Sequence, residues 1–146
     1  MKTRYALAVL LSAVMAGAAW SATPSSAPGK NGIYKGYRGI SLSLPGYQVA
    51  FLNKGDRADV MVTFDAKMTD RKEKVTATIL QNVVVVNVIH PSKLEENGVV
   101  EILVNPNEAQ YTALALRQGD VHISARAEGD TEMAAMEMAS FTKLFK

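Results

Sequence analysis

Residues 74–90 limit what this chain can fold into more than any other stretch. Val75, Ala77 and Ile79 alternate with Thr76, Thr78 and Leu80, and Val83, Val84, Val85 and Val86 follow as an unbroken β-branched run. Branching at Cβ narrows the χ1 choices in a helix and suits the pleated surface of a sheet. A run that is apolar on both faces belongs at the centre of a sheet. Gln81 and Asn82 interrupt the pattern. With no glycine to form a two-residue turn, they predict a bulge or bend within one long strand, not a hairpin.

The flanking segments supply that strand with neighbours. Ile40, Leu42 and Leu44 alternate with Gly39, Ser41 and Ser43, and Ala58, Val60, Val62 and Phe64 alternate with Asp59, Met61 and Thr63. A period of two marks half-buried strands over residues 38–44 and 58–64. Between them, Pro45 and Gly46 form a turn pair, residues 47–54 tuck Val49, Phe51 and Leu52 under the sheet, and Gly55 with Asp56 makes a tight turn. The mixed charges of residues 65–73 predict a solvated, mobile loop, and residues 91–98 form a second loop before a strand over residues 99–104.

The clearest helix start comes next. Asn105 is a capping residue, Pro106 takes the first helical position, where its missing N–H costs nothing, and Glu108 can reach back to the cap. The helix is expected to present Ala109, Thr112, Ala113 and Leu116 and to stop at Gly119. Residues 120–127 then return as a strand through Val121, Ile123 and Ala125. The predicted domain, residues 33–128, is mainly β with one short helix. In residues 129–146, Ala134, Met138, Phe141 and Phe145 share one helical face. That predicts an amphipathic C-terminal helix, which either packs weakly on the sheet or frays, or docks a partner through an adaptable Met- and Phe-rich surface.

The N-terminus reads as an export signal. Lys2 and Arg4 precede an almost wholly apolar or small run over residues 5–19, and Ala19 and Ser21, on either side of Trp20, put small side chains at both recognised positions for cleavage after Ser21. The run is shorter than the roughly 20 apolar residues of a membrane span, so no stable span is expected once the signal is removed. An uncleaved inner-membrane anchor is the alternative. Residues 22–32, rich in Ser, Pro and Gly, read as a flexible leader. Taking Lys2 and Arg4 from the 16 basic residues leaves 14, equal to the 14 acidic ones. A neutral mature chain lacks the basic face that nucleic-acid binding requires. The chain has no cysteine, which excludes disulfides, thiolate metal sites and N-terminal lipidation.

No catalytic, cofactor or metal constellation stands out. His90 precedes a proline at a strand end and His122 falls on the polar side of its strand, both expected as solvated surface groups. Asp56 and Asp59 read as turn and ion-pair residues rather than a catalytic pair, and Glu95 and Glu96 lie in a polar loop with Lys93. Tyr34, Tyr37 and Tyr47 lie near the domain entrance. They either cover a sheet edge or offer platforms for sugar rings, which makes peptidoglycan a possible ligand.

Four stretches then match something specific. Gly36, Tyr37 and Arg38 open the first strand, continuing through Gly39, Ile40, Ser41 and Leu42. Phe51, Leu52, Asn53, Lys54, Gly55, Asp56, Arg57, Ala58, Asp59 and Val60 read FL-x-x-GDR-x-DV. Leu80, Gln81, Asn82 and Val83 read LQNV, and Val104, Pro106, Glu108, Ala109 and residues 113–116 read V-x-P-x-EA followed by a LALA-like helix. In this order they resemble the conserved domain of the RcpC/CpaB family of Flp (Tad) pilus assembly proteins. The resemblance implies a periplasmic, non-enzymatic component with a β-clip, SAF-related fold, whose partners are pilus or secretin components; the alternatives are a peptidoglycan-binding module and a transient periplasmic assembly chaperone of SAF-type fold. It also implies that Gly36, Arg38, Gly55, Asp56, Arg57, Asp59, Gln81, Asn82, Pro106 and Glu108 are motif positions, structural in role. The family's SAF segment is reduced or missing here, since only a short leader precedes Tyr37.

Overall fold

The computed structural model describes residues 27–68 and 71–145, so the expected signal, residues 1–21, lies outside the described residues. The elements are β1 (Arg38–Pro45), α1 (Gly46–Val49), β2 (Arg57–Met68), β3 (Arg71–Ile89), β4 (Asn97–Val104), α2 (Pro106–Gln118), β5 (Gly119–Ala125) and β6 (Ala139–Ser140), followed by a 3-10 turn, Phe141–Phe145. The fold is mainly β: one antiparallel sheet in the order β1-β4-β3-β2-β5, with β6 added on β3. No helix among the described residues is long and apolar enough to cross a membrane.

The long strand expected from residues 74–90 is β3, at 19 residues. It is shared between neighbours. Its first part pairs with β2, from Met68↔Arg71 to Arg57↔Val84. Its last part pairs with β4, from Val84↔Leu103 to Ile89↔Val99. The expected bulge is present: Ala58 faces Val83 and Val60 faces Leu80, so Asp59 alone stands opposite Gln81 and Asn82. Asn82 takes the left-handed conformation, φ 57°, which asparagine tolerates better than most residues.

The inward side chains form one core. Leu42 and Leu44 of β1, Val60 and Val62 of β2, Leu80, Val83 and Val85 of β3, and Val100, Ile102 and Val104 of β4 are buried together with Val121 and Ile123 of β5. Val49 and Leu52 from the α1 connection join them, whereas Phe51 does not tuck under the sheet; it is exposed. Residues 45–49 are also not a simple turn, because Gly46 donates to the Glu96 carbonyl (2.8 Å) and begins α1.

Helix α2 starts as expected. The Asn105 side chain accepts from the Glu108 amide (2.9 Å), and the Glu108 carboxylate accepts from the Asn105 amide (2.7 Å). The buried face differs from the expected one, however: Thr112 and Ala115 are buried and Ala109 partly so, while Ala113 and Leu116 are exposed. Small residues at a spacing of three let the helix approach the sheet, and the Thr112 hydroxyl is satisfied by donating to the Glu108 carbonyl (2.7 Å). Gly119 ends the helix for a different reason than a left-handed cap. Its backbone is extended (φ −171°), and a Cβ there would collide with the Thr63 carbonyl oxygen.

Two expectations are overturned. Residues 65–68 and 71–73 are not loop but the ends of β2 and β3, paired as Asp65↔Lys74, Ala66↔Glu73, Lys67↔Lys72 and Met68↔Arg71. The arm extends past the last β5 pairing at Phe64. Backbone pairing alone builds it, so no apolar alternation advertises it. The C-terminal helix is likewise absent: residues 126–138 are irregular, β6 is a strand, and only Phe141–Phe145 is helical, as a 3-10 turn. Helix propensity in a short segment is marginal in water, and here tertiary hydrogen bonds hold the backbone extended.

Candidate functional site

Gln81 and Asn82, which hold the tail, and Asp59, which holds Arg126, come from the two central motif stretches. In the first, the Asp56 carboxylate accepts from the Asn53 amide (2.8 Å), while Gly55 donates to the Val85 carbonyl (2.8 Å) and Val85 donates to the Asp56 carbonyl (2.9 Å). The turn is thereby fixed to β3, and β2 begins at Arg57, whose guanidinium donates to the Asn82 carbonyl (3.0 Å). Asp59 Oδ1 then accepts both the Asn82 backbone N–H (2.8 Å) and Arg126 Nε (2.7 Å). The bulge is what turns the Asn82 amide toward Asp59. Asn82 Oδ1 is buried with no hydrogen-bond partner among the described residues.

Arg126 is the hub. Its side chain is 8% exposed and that of Asp59 20%. Arg126 Nη1 donates to Asp130 Oδ1 (3.2 Å) and to the Glu132 carbonyl (2.6 Å), and Nη2 lies 3.5 Å from Gln81 Oε1. The hydrogen bond to Asp59 raises the guanidinium pKa above its ordinary value, burial opposes this, and the charges of Asp59 and Asp130 add to the rise. Stability from a raised pKa is present below the unfolded pKa and lost only as pH climbs through the folded one. On the Arg126 side, therefore, the latch keeps its charge until strongly alkaline pH.

Beyond Arg126 the contacts follow a track. Asn82 Nδ2 donates to the Thr131 carbonyl (3.2 Å). Gln81 clamps Ala134 from both sides, Oε1 accepting its N–H (3.1 Å) and Nε2 donating to its carbonyl (2.8 Å). Ala139 and Ser140 then pair with Thr76 and Val75, and the Thr142 amide donates to Glu73 Oε1 (2.9 Å), with its hydroxyl on the same carboxylate. The tail runs antiparallel along the β3 edge that β4 does not reach. Nearly all of these contacts touch tail backbone, so Met133, Met136, Met138, Phe141, Leu144 and Phe145 point to solvent. Fixing a residue's backbone costs about 1–2 kcal/mol, and a hydrogen bond returns about 0.5–1.5 kcal/mol net. A tail that buries little apolar surface is thus held marginally.

The other expected site residues are placed as follows. Tyr34 and Tyr37 share a hydrogen-bonded turn before β1 (Tyr37 N to Tyr34 O, 3.0 Å) that includes Gly36, and Arg38 donates to the Tyr37 carbonyl (2.9 Å). Tyr47 lies at the other end of β1. Eight extended residues span roughly 26 Å, so the three tyrosines do not form one platform. Phe141 and Phe145 meet edge to face, centroids 5.1 Å apart. Pro106 and Glu108 serve the helix start. His90 is exposed, but His122 is half-buried rather than solvated, with Nδ1 3.2 Å from Gln48 Nε2. Gln48 Oε1 also accepts the Ile123 amide (3.2 Å), so this side chain guards the edge of β5. Tyr47, Gln48, Leu116, Asp120 and His122 line an open cleft of about 470 Å³.

Sequence reasoning missed Arg126 and Gln48 as organising residues. Arg126 had a faint signal, a lone arginine directly after the alternation of the last strand; Gln48 had none. No group of three or more His, Asp or Glu among the described residues is placed to hold a metal ion. The arrangement binds backbone. Compared with known proteins, the chain matches no family model, and no curated protein or solved structure matches it.

Proposed function

We propose that this protein is a periplasmic, non-enzymatic assembly factor of an Flp (Tad)-type pilus machine, acting by protein–protein contacts near the outer-membrane secretin. One observation carries the reading. The FL-x-x-GDR-x-DV and LQNV stretches meet around Asp59 and, through Gln81, Asn82 and Arg126, grip the tail by its backbone. A surface that fixes an extended segment and turns its Met and Phe side chains outward is suited to docking, because such side chains adapt to varied partners. Export through the N-terminal signal and release into the periplasm belong to the same proposal.

A tagged chain recovered from periplasm should carry pilus or secretin components with it, and deletion should abolish piliation. Replacing Phe141 and Phe145 together by serine should weaken the recovery without unfolding the domain, since both are exposed. Intact piliation after deletion, with no pilus or secretin component recovered, overturns the proposal.

A further inference from the structure

At Ile123 the outer edge of β5 is covered by a side chain instead of a strand. The Arg126 amide donates to the Arg57 carbonyl (2.8 Å), which makes these two residues a hydrogen-bonded pair of the β2–β5 ladder. Bonded and unbonded pairs alternate along an antiparallel ladder, so at the register Val60↔Ile123 the Ile123 N–H points away from β2. No strand lies on that side, since β5 ends the sheet. Gln48 stands in for one, its Oε1 accepting the Ile123 N–H (3.2 Å). This bond decides the rest of the geometry. A backbone amide only donates, so the Gln48 oxygen faces Ile123 and its NH2 group faces His122, 3.2 Å from Nδ1. The NH2 group also only donates. His122 Nδ1 is therefore the acceptor, and in this arrangement the imidazole is neutral with its proton on Nε2.

We infer that His122 and Gln48 form a proton-operated latch on β5: with a neutral imidazole Gln48 covers the strand edge at Ile123, and with an imidazolium it releases that edge. Protonation puts an N–H on both ring nitrogens, so two donors confront each other between His122 and Gln48. Turning the amide over brings Oε1 to His122 but sets the NH2 group against the Ile123 N–H. One of the two hydrogen bonds is lost either way. Val49, fully buried, keeps α1 in place, so what lets go is the Gln48 side chain, and the edge left behind is the kind that pairs with a further strand. The groups around His122 are Tyr47 and Gln48 of α1, Ser43 of β1, Leu116 of α2, Asp120 on its own strand and Met61 opposite it on β2. Further along the same side, Asp59 and Arg126 are engaged with each other. Carboxylates ordinarily titrate near pH 4 and tyrosine near pH 10, whereas imidazole changes charge between about pH 5 and about pH 8. The latch is thus closed at the alkaline end of that range and lost as pH falls through it. This inference does not depend on the pilus proposal.

Amide exchange and ring-nitrogen NMR on the isotopically labelled chain test the latch. At about pH 8 the His122 ring should carry its proton on Nε2, and on going to about pH 5 the Ile123 amide should lose protection several-fold, corrected for the intrinsic pH dependence of exchange, in step with the charging of His122. His122→Gln supplies an acceptor that does not titrate, so in that variant Ile123 protection should be equal at both ends of the range. His90→Gln, at an exposed position, should leave the response of the unmodified chain unchanged. A proton on Nδ1 at the alkaline end, or Ile123 protection that holds while His122 becomes charged, overturns the inference. So does a folded His122→Gln chain that still loses the protection, or a response that disappears with His90→Gln. If His122→Gln does not fold, the tautomer and the Ile123 exchange of the unmodified chain decide by themselves.

Discussion

The two ends of β3 are built on different terms. Around Val84 the strand lies between β2 and β4, and Val83 and Val85 are buried in the core. From Arg71 to Lys74 it forms one side of an arm, paired with β2 along one edge and touched by the tail at Glu73, and its ion pair Lys74–Asp65 (3.2 Å) is well over half exposed on both sides. One end is held by apolar burial and the other by hydrogen bonds between backbones and polar side chains. Continuous backbone pairing can therefore carry a strand from a region of high local stability into one of low local stability.

Substitution should separate the two ends, beginning with the largest effect. Ile102→Ala, at a fully buried position beside the well-packed end, should cost about 2–5 kcal/mol, read as a lower denaturant midpoint with the slope unchanged. Gly119→Ala forces a methyl group against the Thr63 carbonyl and should cost about 1–3 kcal/mol, with β2 and β5 amides exchanging faster than those of β1 and β4. Asn105→Ala removes the cap of α2 and should cost about 1 kcal/mol, seen in thermal melting. Gln81→Ala releases the clamp on Ala134; amide protection in residues 131–142 should vanish while the melting midpoint barely moves. A large drop in midpoint would mean that the tail is part of the cooperative core. Lys74→Ala should change stability by less than about 1 kcal/mol, and a greater loss would show that the arm is stiffer than its exposed ion pair implies.

The same contrast explains what could be read in advance. Strands β1, β3 and β4, the bulge at Gln81 and Asn82 and the Asn105 cap rest on side-chain periodicity or on a local motif, and each is visible in a few residues. The β2–β3 arm reads as a loop in the sequence because charged residues dominate 65–73, leaving no period to detect. Helical spacing puts Ala113 and Leu116 inward beside Thr112, whereas close packing against the sheet buries Thr112 with Ala115 and leaves Ala113 and Leu116 exposed. The tail had true helical spacing, yet Gln81, Asn82 and Arg126, up to 53 residues away in sequence, fixed it as extended. Motif positions such as Asp59 and Gln81 could be singled out from their pattern; that they meet at Arg126 depends on the sheet order, which one-dimensional spacing does not encode.

The antiparallel course of the tail also determines how the domain would bear tension. A pull on the C-terminus directed away from the sheet meets the Glu73 contact first, then Ser140 and Ala139 on the β3 edge, then the Gln81 clamp, then Asn82 and finally Arg126 on Asp59. Each anchor is loaded only after the one before it has let go. The tail should thus peel in steps, lengthening like a tether under modest force, while the strands around Val83 and Ile102 remain slack and intact.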